Sequence, residues 1–311
     1  MAKKRGASPD LSRLRVLAVG EEAPFRDLIV DLLASGDRLA REAALEALAE
    51  RPLSGMRDQL RALYQEVGGG EKHDPGGRIR GGVIHLLIEH ADIRDTDIGV
   101  RAADTREQSM GVDGTANLRA LGLRLIAVTD PDLFPFVAAE HVNDASTFSP
   151  EPANTALQLL ANTGHQLSVY QWLVGRDDHE PALVEAAVEL LTDAPDTLMA
   201  RCMSELTLKA LAKPDEPLLT KLAEVIVARE LDDSYVALAS ILGAAISKEL
   251  HAYLALLFAA TNRPLLLAIL EQRLQDDIRR RPAILDALRI RTTPEQAAIL
   301  ERWEQRADGD D

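Results

Sequence analysis

Three arginines, Arg41, Arg80 and Arg119, stand 39 residues apart in the chain. A row of guanidinium groups at constant interval is chemistry for carboxylates or phosphates, because the planar fork donates paired hydrogen bonds to either. Arg78 and Arg124 lie close to the row and add positive charge, as does Arg38. The residues alone leave two readings open. One is a binding stripe for an anionic ligand. The other is a structural ladder, in which each arginine pairs with an acidic residue or carbonyl of a neighbouring segment and its stem covers apolar core.

The remaining reactive residue types assemble no catalytic constellation. His85 and His90 are five apart, about 140° around a helix, which is wrong for shared metal ligation. His85 and Glu89 do share a face, but two ligands make no zinc site. The run Gly76-Gly77-Arg78-Ile79-Arg80-Gly81-Gly82 would present backbone amides to an anion at a helix start. It matches no nucleotide-binding fingerprint and reads as a hinge. Cys202 stands at helical spacing from Leu198, Met199 and Leu206, as a packed core thiol does. As the single cysteine it excludes a disulfide framework and a cysteine zinc site. Tyr170 and Trp172 read as first-helix packing or as an anchor for a partner. No cofactor and no metal are expected.

What positions these residues is a repeated helical stripe. Apolar or glycine residues at i, i+3, i+4, i+7 and i+8 make one face of a helix. The pattern starts at Ala40, Ile79, Leu118, Ala153, Leu183, Leu219 and Leu250, and a degenerate eighth copy surrounds Ile284, Leu285 and Leu288. Between the stripes there is room for a second helix, at Pro24 to Ala34, Leu53 to Val67, Asp132 to Val142, Gln166 to Val174, Thr197 to Leu211, Ser234 to Ile246 and Leu265 to Leu274. Each unit therefore reads as a helical hairpin. Thr293-Pro294-Glu295-Gln296 carries a capping box before a last helix. Composition agrees: 46% of the chain is hydrophobic but only 4% aromatic, rich in the helix formers Ala and Leu and poor in sheet formers.

Hairpins of this length, with Arg41, Arg80 and Arg119 one position after the stripe begins, resemble the HEAT-type helical repeats. The likeness is carried best by Asp37-Arg38-Leu39-Ala40-Arg41 and Gly77-Arg78-Ile79-Arg80. The resemblance implies an all-α, right-handed α-solenoid of seven to eight stacked antiparallel hairpins, a HEAT/armadillo-like superhelix with the stripe helices on its concave side. From the fourth copy onward Asn154, Val184, Thr220 and His251 stand in the arginine slot. The expected organisation is a tail or capping segment over 1–23, one solenoid over 24–290, and a capping helix with an acidic tail over 291–311. Two segments depart from the repeat and are expected as insertions, 68–77 and 92–114. The second is expected to be too polar for an ordinary packed helix.

Charge is uneven. The net charge is −15, and residues 130–270 hold 20 acidic against 8 basic residues. The first 129 residues hold 20 and 19. The acidic block suits a basic protein or peptide partner, with Glu185, Glu189 and Glu224 as its representative contacts. The expectation is thus a noncatalytic protein-protein interaction scaffold. The alternative is a HEAT-like enzyme or nucleic-acid-binding protein resembling the alkylpurine DNA glycosylases, using the arginine-lined N-terminal repeats. The acidic balance argues against nucleic acid, which needs a basic surface. The longest apolar run, Tyr253 to Ala260, is far short of the roughly 20 residues that cross a bilayer. Pro9, Asp10, Arg13 and Arg15 break the apolar stretch a signal peptide needs, so a cytoplasmic location is expected.

Overall fold

A computed structural model describes residues 12–307, apart from 18, 69–73, 110–111, 146–147, 176–178, 192, 245–246 and 291. The architecture is all-helical, save for a two-residue antiparallel ladder of β1 (Gln108–Ser109) with β2 (Val112–Asp113). By packing, the chain forms two compact units, the first ending at His165 and the second beginning at Gln166.

The first unit contains α1 (Ser12–Leu17), α2 (Glu22–Ala34), α3 (Arg38–Glu50), α4 (Arg57–Val67), α5 (Arg78–Glu89), α6 (Thr96–Ala103), α7 (Ala116–Thr129), α8 (Phe134–His141) and α9 (Ala153–Asn162). They pair as hairpins, α2 with α3, α4 with α5, α6 with α7 and α8 with α9. The second members form a row, α3 on α5, α5 on α7 and α7 on α9. Every stripe residue of these four helices is buried or half-buried. Asp37 starts α3 by accepting from the Leu39 amide at 2.8 Å and the Ala40 amide at 3.4 Å, which satisfies donors the helix leaves unpaired.

The second unit contains α10 (Gln166–Gly175), α11 (Pro181–Leu190), α12 (Asp196–Ala212), α13 (Glu216–Ala228), α14 (Tyr235–Gly243), α15 (Lys248–Thr261), α16 (Pro264–Asp276), α17 (Arg281–Ile290) and α18 (Pro294–Ala307). Its helices fall into two rows, α10–α12–α14–α16 and α11–α13–α15–α17. Asp215 and Ser247 cap α13 and α15 through the Leu218 and Leu250 amides. The capping box forms as the sequence predicts: Thr293 Oγ1 accepts from the Gln296 amide and Gln296 Oε1 from the Thr293 amide. Gln296 also donates to the Ala259 carbonyl at 2.6 Å, tying α18 to α15.

The expectation for 92–114 is corrected by the fold. The segment supplies the first helix of the third hairpin, α6, entered through a single 3-10 turn at Ile93–Asp95. Its apolar face is small, Ile98, Gly99, Ala102 and Ala103, and so is easily missed among the charges. Smallness is what the packing requires. A Cβ on Gly122 of α7 would lie 2.6 Å from the Ala103 nitrogen and 2.7 Å from the Gly99 oxygen, so α6 and α7 meet backbone to backbone. The charges are absorbed by the preceding hairpin. Asp95, fully buried, receives Arg61 at 2.8 Å, and Asp97 receives Arg61 at 3.0 Å. In the other expected insertion, 69–73 lies outside the described residues, and Asp74 to Gly77 forms a turn with Gly76 and Gly77 in the left-handed region.

Candidate binding surfaces

The arginine row folds inward. Arg41, Arg80 and Arg119 are 7%, 2% and 2% exposed. Arg41 donates from Nε to the Leu33 carbonyl at the end of α2, and from Nη2 to Glu66 at 2.6 Å. Arg80 binds Asp74 from Nε at 2.9 Å and Glu107 at 2.8 Å. Arg119 binds Asp144 from Nε at 2.9 Å, Asp113 at 2.5 Å and the Thr105 carbonyl at 3.0 Å. One geometry serves all three. A guanidinium on the second helix of a hairpin takes a carbonyl on its N-terminal side in sequence, and a carboxylate 25 to 27 residues ahead in the next hairpin. Buried charge is tolerated only when paired and hydrogen-bonded, and each of these is. At Asp113 burial opposes ionisation, yet the bonds from Arg119 and Thr115 outweigh it and hold the carboxyl below its usual range.

The anion-binding capacity of this row is therefore taken up by the protein's own carboxylates. The same holds for the glycine-rich start of α5, where Asp74 accepts from the Ile79 amide at 2.8 Å and the Arg80 amide at 3.1 Å. Arg78 and Arg124 are exposed, and Arg38 pairs with Glu42 at 3.1 Å. The partners Glu66, Glu107 and Asp144 were not singled out from sequence. The signal was there, an acidic residue 25 to 27 positions after each arginine.

In the second unit the structure brings Glu185, Glu189 and Glu224 together around Lys221. Glu185 and Glu189 lie on α11, Lys221 and Glu224 on the adjacent α13. Lys221 Nζ reaches Glu189 at 2.5 Å and Glu224 at 3.4 Å, and the bond to Glu189 raises the ammonium's pKa. Tyr253 of α15, the one exposed stripe residue, donates its hydroxyl to Glu224 at 2.5 Å. Partial burial pushes the Glu185 carboxyl up, and neighbouring Asp215 and Glu189 add to the effect against the pull of Lys221. One ammonium thus serves two carboxylates on a face built by three neighbouring helices of one row.

The arginine slot ends differently here. His251 occupies it on α15, 3% exposed, with neither ring nitrogen hydrogen-bonded among the described residues. Burial, with the charges of Arg280 and Arg273 nearby, lowers its pKa to about 4, so the ring is neutral near pH 7. Cys202 is fully buried in α12, and burial pushes its thiol up to about 12. Trp172 is buried too, its ring tilted 31° against that of His179 with centroids 3.8 Å apart. Among the described residues no group of His, Cys, Asp and Glu side chains could hold a metal ion. No helix among them is long and apolar enough to cross a membrane. Neither a protein-family model, nor a curated protein, nor a solved structure matches the chain.

Proposed function

We propose that this chain is a noncatalytic scaffold or adaptor that binds a basic protein or peptide, and that each unit is a stack of HEAT-like hairpins of the right-handed α-solenoid type. The observation that carries the binding reading is the α11–α13–α15 face. There Glu189 and Glu224 share Lys221, Glu185 lies near enough to feel its charge, and the surrounding sequence, 166–270, holds 15 acidic against 8 basic residues. Such a surface steers a cationic partner and selects against an anionic one. The architectural reading is supported by the row of second helices within each unit, each packed on the next. The nucleic-acid alternative draws no support from Arg41, Arg80 and Arg119, whose guanidinium groups are already clasped by Glu66, Asp74, Glu107, Asp113 and Asp144.

The test uses the full chain and a fluorescein-labelled oligo-lysine peptide, followed by anisotropy across a salt series. Binding is expected to weaken with salt, and by about tenfold or more in an E185K/E189K/E224K variant that keeps its helical circular dichroism. Binding that ignores both salt and charge reversal would overturn the reading.

A further inference from the structure

At the open ends of the first two hairpins, where α3 runs into α4 and α5 ends, lies a cavity of about 640 Å³. Its floor is apolar, made by Leu48 of α3, Leu53 and Met56 of the α3–α4 turn, Leu60 of α4, and Leu86 and Leu87 of α5. Each of these side chains is only 2 to 7% exposed, so the pouch reaches the outer edge of this apolar cluster. Its size falls within the range of small-molecule sites, roughly 300–1,000 Å³, which are mostly apolar with a few oriented polar groups.

The mouth carries Arg57, Asp58, Glu89 and Arg94. Both arginines are committed. Arg94 forms a two-pronged bond to Asp92, at 3.0 Å on each side. Arg57 reaches Asp92 at 2.5 Å and Asp95 at 3.4 Å, and donates to the His90 carbonyl. Asp58 and Glu89 are exposed, with no hydrogen-bonded or ion-paired partner among the described residues, and Asp58 feels Arg94 only through space. The last turn of α5, which ends at Glu89, also borders the pouch, and helix C-termini favour cations. The charged side chains at the mouth without a partner are therefore negative, and the N-terminus of α4, which also borders the pouch, is the feature that favours an anion.

We infer that this pouch binds a cationic amphiphile, a small molecule with an apolar body seated on Leu48, Leu53, Met56, Leu60, Leu86 and Leu87 and a protonated amine held by Asp58 and Glu89. The site is separate from the acidic face of the second unit, so either assignment stands or falls without the other.

The experiment is calorimetric titration of the full chain with octylammonium, octyl glucoside and octyl sulfate, each kept below micelle formation. The expected order is octylammonium tightest, at one per chain, with octyl sulfate weaker by about tenfold or more. Ser54 is exposed and lines the pouch, so S54W fills it from outside the core and is expected to abolish binding of all three. The D58N/E89Q double variant is expected to erase the preference for octylammonium while octyl glucoside binding persists. Octyl sulfate binding as tightly as octylammonium, octylammonium binding untouched by S54W, or no binding of any of the three would overturn the inference.

Discussion

Arg119 of α7 holds Asp144, 25 residues ahead and beyond α8, with Nε 2.9 Å from one carboxylate oxygen and Nη2 3.3 Å from the other. The arginine is almost wholly buried, whereas Asp144 keeps a rim of solvent contact. The same aspartate also receives Arg106 at 3.1 Å and lies 3.2 Å from His141 Nδ1, so one carboxylate gathers three basic side chains where two hairpins meet.

Removing that arginine leaves charge without its partner. Arg119→Met is expected to destabilise the first unit by about 3 kcal/mol, the low end for breaking a buried pair, because Asp113 and Asp144 retain some water. Urea unfolding followed by circular dichroism measures it. Arg119→Lys is expected to recover only part of the loss, since an ammonium cannot span both carboxylates and the Thr105 carbonyl. Full recovery by lysine would refute the fork geometry.

Backbone contact at α6 and α7 gives a second expectation. Gly122→Ala forces two helices apart and is expected to cost about 1–3 kcal/mol. Gly36→Ala, where a Cβ meets nothing within 4 Å, is expected to stay within about 0.5 kcal/mol. Thermal unfolding of the two variants side by side decides it.

His251 links stability to pH. Its folded pKa, about 4, lies below the ordinary 6.5, so the unfolded chain takes up the proton first. Stability is complete above about pH 6.5 and falls as pH drops towards 4, with about 2 kcal/mol lost by pH 5. The difference in unfolding free energy between pH 7 and pH 5 is expected to shrink by that amount in His251→Gln. An unchanged difference would remove His251 as its source.

Cys202 offers a check on the second unit. A thiol that is fully buried and shifted to about 12 is protected from disulfide exchange. Reaction with a chromogenic disulfide at pH 8 is expected to be negligible in the native chain. One equivalent should react promptly in denaturant. Prompt native reaction would contradict the packing of α12.

Helix placement was legible wherever apolar residues were large and regularly spaced. The expected Gln166 to Val174 is α10, and Thr197 to Leu211 is α12 to within a residue at either end. α6 escapes the pattern because its inward row, Asp95, Ile98, Gly99, Ala102 and Ala103, has the right spacing but begins with a carboxylate, which reads as solvent-facing until Arg61 is seen to cover it. Tyr253 matches the stripe yet sits exposed with its hydroxyl on Glu224, since spacing fixes a face but not where that face ends. The arginine interval was plain in the sequence. The direction of each guanidinium was not, because it depends on Glu66, Glu107 and Asp144 reaching back from hairpins that only folding brings alongside.

Those three reaches share a direction in time as well as in space. A ribosome delivers Arg41 before Glu66, Arg80 before Glu107 and Arg119 before Asp144, each time with about one hairpin of chain in between. Arg80 and Arg119 meet Asp74 and Asp113 in chain already delivered, whereas the carboxylate of Arg41 and the second carboxylates of the other two come only with the next hairpin. Each of these three hairpins is therefore completed by the one that follows.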